Sequence, residues 1–94
     1  MRSLLIRHKV ADYDTWKRVF DDDAELRRAN GSESARVFRS DSDPCEIWLL
    51  MAWDDLARAR LFTRSDDLLD LMERAGVTDR PDYWYLEEPD SPRG

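Results

Sequence analysis

The chain contains one cysteine, Cys45, and one histidine, His8, in ninety-four residues. A single cysteine excludes an intrachain disulfide framework, and the two residues together fall short of the four ligands of a structural zinc site. We therefore expect no metal. No staple is needed either, because a domain of this length buries roughly 60 to 68% of its unfolded surface. Long hydrophobic runs are also missing. The longest uncharged stretch, Ile47 to Trp53, is far below the ~20 residues that cross a bilayer, and Leu4-Leu5-Ile6 is too short for the core of a signal peptide. A cytoplasmic protein in a reducing compartment is the expectation. Basic residues are outnumbered, with 15 Lys and Arg against 21 Asp and Glu, for a net charge of −6. Such a surface, with its Asp21-Asp22-Asp23 run, repels phosphate, so neither nucleic acid nor an anionic membrane is an expected partner. The three glycines, Gly31, Gly76 and Gly94, are too scattered for a phosphate-binding loop.

What is present is organised around Glu46 to Trp53, which is apolar on both alternating sides. Along a strand Ile47, Leu49, Met51 and Trp53 line one face and Trp48, Leu50 and Ala52 the other, so both faces of a central strand need covering. Ser3 to Val10 alternates as a first strand with His8 as the polar member of its apolar side. Asp12 caps one long helix whose apolar stripe runs from Tyr13 through Trp16, Val19 and Phe20 to Ala24 and Arg27, ending at Asn30-Gly31. Ser34 to Arg39 is a short edge strand that turns through Asp43-Pro44 into the central one. Asp54 or Asp55 caps a helix through Phe62, Ser65 restarts one that ends at Gly76, and Tyr83 to Glu87 is an aromatic last strand. The order is an α+β, ferredoxin-like split βαββαβ pattern, with a four-stranded antiparallel sheet and both helical regions on one face. Residues 1–88 are expected to form one domain and residues 89–94 a flexible tail. The sheet's second face, left bare, would be a large apolar patch, which calls for a homodimer packed sheet to sheet.

His8 is the candidate catalytic residue, because imidazole alone among side chains ordinarily titrates near neutrality. The same pattern fits a packed strand histidine. A His8–Cys45 nucleophilic dyad is the weaker idea, since Cys45 follows Asp43-Pro44 at a hairpin and acidic neighbours raise a thiol's pKa. Trp16, Phe20, Trp53, Phe62, Tyr83 and Tyr85 could line an apolar pocket that stacks a planar, hydrophobic small molecule, or could be ordinary core. Asp21-Asp22-Asp23 and Asp66-Asp67-Asp70 read as solvated faces, because adjacent helical residues fan apart by about 100° and do not converge on one ion.

Four stretches carry a resemblance: Arg7-His8-Lys9-Val10-Ala11-Asp12-Tyr13-Asp14-Thr15-Trp16-Lys17; Gly31-Ser32 before Val37-Phe38-Arg39; Ala52-Trp53-Asp54-Asp55; and Ala75-Gly76-Val77 before Pro81-Asp82-Tyr83. Together they resemble the small dimeric α+β barrel proteins related to antibiotic biosynthesis monooxygenases. That resemblance implies a homodimer whose two sheets close one barrel. It also implies a cofactor-independent monooxygenase or cyclase-like activity on a hydrophobic aromatic molecule. The tryptophan that opens the second helical region in those proteins is matched by Trp53. Where oxygenase members carry an asparagine on the first strand, Ile6 or His8 stands here, and where relatives place a histidine shortly before the serine that restarts the second helix, Phe62 stands here, three residues before Ser65. These departures keep open a non-catalytic small-molecule-binding or interaction module of the same fold. Haem-degrading relatives exist as well, but with His8 as the one histidine no organic cofactor is expected.

Overall fold

A computed structural model describes residues Met1–Gly94. The elements are β1 (Arg2–Lys9), α1 (Tyr13–Asp22), α2 (Ala24–Asn30), β2 (Ser32–Arg39), β3 (Glu46–Trp53), α3 (Leu56–Thr63), α4 (Asp66–Ala75) and β4 (Asp82–Glu87). All strand pairs are antiparallel and the sheet order is β2-β3-β1-β4. The two strands with the most buried residues, β3 and β1, lie in the middle, where both of their edges are hydrogen-bonded.

Register decides which residues meet. His8 stands opposite Ile47, Ile6 between Leu49 and Tyr83, and Leu4 between Met51 and Tyr85. These residues share the face under the helices, and with Trp16, Phe20, Trp53, Phe62 and the apolar stripe of α4 they supply most of the single buried cluster. The opposite face presents Leu5, Arg7, Trp48, Leu50, Trp84 and Leu86. Trp48 and Trp84 stack across β1 at 5.8 Å between ring centroids. Phe38, Trp84 and Leu86 remain 40 to 43% exposed in the single chain.

The helices begin where short polar side chains can accept free backbone N–H groups: Asp12 accepts from Thr15, Asp55 from Ala57, and Ser65 from Leu68. The expected long first helix is broken. At Asp23 the backbone leaves the helical region (φ −99°, ψ 18°), and α2 restarts with no side-chain cap and no buried residue. Three successive aspartates, poor helix formers with mutual repulsion, give the chain its break point there. β2 also starts earlier than the sequence pattern indicates, at Ser32, with a bulge between Ser32 and Ser34.

One left-handed glycine fixes the end of α2. Gly31 has φ +118°, and a Cβ there would lie 2.7 Å from the indole nitrogen of Trp53. That indole donates to the Asn30 carbonyl at 3.2 Å, and Arg58 donates to the Ala29 carbonyl at 2.9 Å while pairing with Asp54. Through these contacts the C-terminus of α2 is tied to β3 and α3. Beyond Glu88, whose N–H donates to the Met1 carbonyl at 2.8 Å, the chain has no regular element.

Candidate functional site

β1 and β3 form a floor, α1 and α4 two walls, and between them lies a small cavity. Ile6, His8, Leu49 and Met51 line it from the sheet, Trp16 and Phe20 from α1, and Phe62 together with Leu68, Leu71 and Met72 from the later helices. Arg27, from α2, completes the lining. Measured as space open to the centre of a water molecule it is ≈ 20 Å³, room for about one water.

His8 is only 2% exposed, and neither Nδ1 nor Nε2 has a hydrogen-bond partner. A neutral imidazole has one N–H donor and one lone-pair acceptor, and burying such groups unpaired costs about 1–3 kcal/mol each. Burial lowers its pKa to about 4; the nearby Asp79 carboxylate opposes that shift and Arg7 adds to it. The ring is therefore neutral at physiological pH. Its edge meets Trp16 at 5.8 Å, a T-shaped contact, and Trp16 in turn stacks on Phe20 at 5.0 Å. The imidazole is consequently held by aromatic packing, with both of its nitrogens unpaired.

Arg27 is half-buried, and its guanidinium carbon sits 3.6 Å from the Phe20 ring centroid. Its one hydrogen bond goes to the Phe20 carbonyl. Loss of hydration pulls its pKa down, while the fields of Asp21 and Asp23 pull it back up.

The residues that pattern alone nominates divide into two groups. His8, Trp16, Phe20 and Phe62 converge on the cavity. Trp53, Tyr83 and Tyr85 do not line it. Trp53 packs on Phe62 at 5.2 Å with its N–H committed to Asn30. Tyr83 and Tyr85 stand on the edge strand β4, with their hydroxyls directed to Met72 Sδ and Thr63 Oγ1. Burial, aided by the neighbouring Tyr85, raises the Tyr83 pKa to about 12. Cys45 lies outside the cavity, in a surface cleft with Tyr13, Arg39 and Pro44. No cluster of His, Cys, Asp and Glu is arranged to hold a metal ion. The acidic runs are solvated: Asp21 pairs with Lys17 at 2.6 Å and Asp70 with Arg74 at 3.1 Å. Arg27 escapes a reading by residue type, although its place seven residues after Phe20, at the end of the apolar stripe, puts it on the cavity side of the helical region.

No family model matches the sequence, and no curated protein matches it either. Solved structures do. A protein of Bordetella bronchiseptica assigned to the antibiotic biosynthesis monooxygenases superposes with a TM-score of 0.76 at 15% identity, over 93% of this chain and 95% of that one. The chain has the antibiotic biosynthesis monooxygenase fold. SnoaB, a cofactor-independent oxygenase of Streptomyces nogalater, shares this fold with a TM-score of 0.74 at 14% identity, over 96% of this chain and 94% of that one. A further protein assigned to the same group, from Caulobacter crescentus, gives 0.72 at 18% identity, over 95% and 90%. Chemistry at these identities has to be argued from the site itself. No helix is long and apolar enough to cross a membrane.

Proposed function

We propose that the chain is a cofactor-independent monooxygenase or cyclase-like enzyme acting on a hydrophobic aromatic molecule held between sheet and helices. The observation that carries this reading is the His8 imidazole, neutral, buried, and free at both nitrogens beside an apolar cavity. A cofactor-free reaction with O₂ needs an electron-rich carbanion or phenolate, because a closed-shell neutral arene reacts with triplet oxygen too slowly. His8 is the base that would generate it. It takes a proton from an acidic ring methylene, the resulting carbanion passes electrons to O₂ and forms a C–O bond, and the peroxide loses water. The balance is R₂CH₂ + O₂ → R₂C=O + H₂O. The apolar walls keep the base uncharged before the reaction, although the same burial makes it a weaker base; they also strengthen the imidazolium–enolate attraction once it forms and exclude water from the carbanion.

The second part of the proposal is a homodimer through the open face of the sheet. Support comes from Trp48, stacked on the 40%-exposed Trp84, and from Phe38 and Leu86, which are also more than two-fifths exposed in the single chain.

The cavity's size favours a second reading. With ≈ 20 Å³ it does not admit an arene unless α2 or the side chains around Phe20 move; an interaction module that works through its surface needs no such opening, and a non-catalytic binding module needs it without any reaction following. Oxygen uptake decides between them. A panel of hydroxylated and keto-methylene arenes is screened for binding by native mass spectrometry, and each binder is then assayed in air with wild type and His8→Gln. Oxygen consumption lost in His8→Gln supports the enzyme; binding without uptake leaves the module.

A further inference from the structure

Two of the arginines are partly buried, Arg7 and Arg27, and the others are exposed. Arg7, on the open face of the sheet, is surrounded by carboxylates: Glu46 at 2.7 Å, Asp79 at 3.1 Å and Asp82 at 3.5 Å. Arg27 takes part in none of the ion pairs of the structure. A half-buried guanidinium is costly to desolvate and is ordinarily compensated by a carboxylate. Here Asp21 and Asp23 are near enough to be felt but are not paired with it, and Asp23 is engaged by Arg74 at 3.5 Å. Of the five N–H donors on Arg27, one is used, on the Phe20 carbonyl, and the ring of Phe20 holds the plane in place.

Its position is equally specific. Arg27 lines the inner cavity that contains His8, and it also lines a surface groove of ≈ 160 Å³ beside Arg28, Ser32 and Ser34. This one side chain therefore stands between groove and cavity. Glu33 is the single carboxylate of the groove, and it is exposed. The helix that carries Arg27 buries none of its residues fully and has no side-chain N-cap; Leu26 packs partly against the core, so a swing of the guanidinium outward gives up its contact with the Phe20 ring but no fully buried side chain.

We propose that the cavity's ligand is an arene bearing an oxyanion, with the anion bound by Arg27 at the mouth and a neutral polar group at the opposite end meeting His8 inside. This rests on the reading of the cavity as a ligand site and narrows its substrate class. An apolar arene without an acidic group would leave the guanidinium as it is, half-dehydrated and unpaired. A carboxylate at the mouth would accept the N–H groups that now have no acceptor, in the bidentate geometry that arginine offers. In a chain of net charge −6 this selection has to be local, because the long-range field repels anions.

The test uses 6-hydroxy-2-naphthoate, which carries hydroxyl and carboxylate at opposite ends, and its methyl ester, which keeps the shape and removes the charge. Both are titrated by fluorescence into wild type, Arg27→Met and Arg27→Lys, with circular dichroism and thermal melting as the check on folding. Wild type should bind the acid at least tenfold more tightly than the ester. Arg27→Met should lose that preference while its affinity for the ester stays within about twofold, and Arg27→Lys should retain part of it. Equal affinity for acid and ester in wild type, or a preference that survives in Arg27→Met, overturns the role of Arg27 and leaves the cavity as a ligand site. Binding of neither probe overturns both. If Arg27→Met does not fold, the wild-type comparison and Arg27→Lys decide alone.

Discussion

Acid should destabilise this protein through His8 from a pH above the range in which carboxylates ordinarily titrate. The ordinary imidazole value is 6.5 and the buried one about 4, so between those two pH values the unfolded chain binds a proton that the folded chain does not. Stability then rises with pH across this window, by about 1.4 kcal/mol per unit where the difference is complete. The stability is fully present above 6.5 and is lost as pH falls toward 4. Between pH 7.5 and pH 5.0 the loss assigned to His8 is about 2 kcal/mol, an order-of-magnitude figure from the same linkage relation. Because the ring is 2% exposed, solvent screening takes little from it. The carboxylates with depressed pKa values do not blur the window. Asp12, held down chiefly by its hydrogen bonds from Thr15, and Asp43, held down chiefly by the Cys45 N–H, both titrate below 3.8 and act only at lower pH. Urea unfolding at pH 5.0 and 7.5 on wild type and His8→Leu isolates the effect. Wild type should lose about 2 kcal/mol more than the variant on going to pH 5.0, with equal m-values. Parallel losses in the two proteins would refute the argument, because they would mean that the imidazole is hydrated or paired in the folded state. A His8 resonance titrating near 6.5 in the native protein would refute it independently.

Three further outcomes follow from the fold. Sedimentation velocity at micromolar concentration should give twice the 11.1 kDa of one chain, and Trp48→Glu should shift the population toward monomer by burying an unpaired charge; a wild-type monomer would sink the sheet-to-sheet pairing. Gly31→Ala should lower stability by about 1–3 kcal/mol, since it places a Cβ at φ +118° against the Trp53 indole, and thermal melting reads the loss. Hemin should produce no saturable one-to-one Soret shift dependent on His8, because the cavity of ≈ 20 Å³ encloses the imidazole and Phe62 cannot ligate iron; a shift abolished by His8→Ala would contradict this.

Much of the architecture was legible because the relevant forces act between chain neighbours. Alternation placed Leu4, Ile6 and His8 on one side of β1, and short polar caps at Asp12, Asp55 and Ser65 marked where helices begin. The two-sided apolar character of Glu46 to Trp53 put β3 in the interior of the sheet. The helix break at Asp23 was hidden in a continuous apolar stripe, because periodicity reports which side of a helix is buried and says nothing of a change in axis. Tertiary structure alone decided the site. The indole of Trp53 is removed from the cavity by a carbonyl 23 residues away in the chain, and Arg27 is set on the Phe20 ring and carbonyl across the helix break at Asp23. Whether a polar group is paired depends on which distant atoms lie within about 3 Å of it, and residue type carries no record of that distance. His8 could therefore be nominated from the sequence, but the two free nitrogens that make it a candidate base exist only once sheet, α1 and α4 have closed around it.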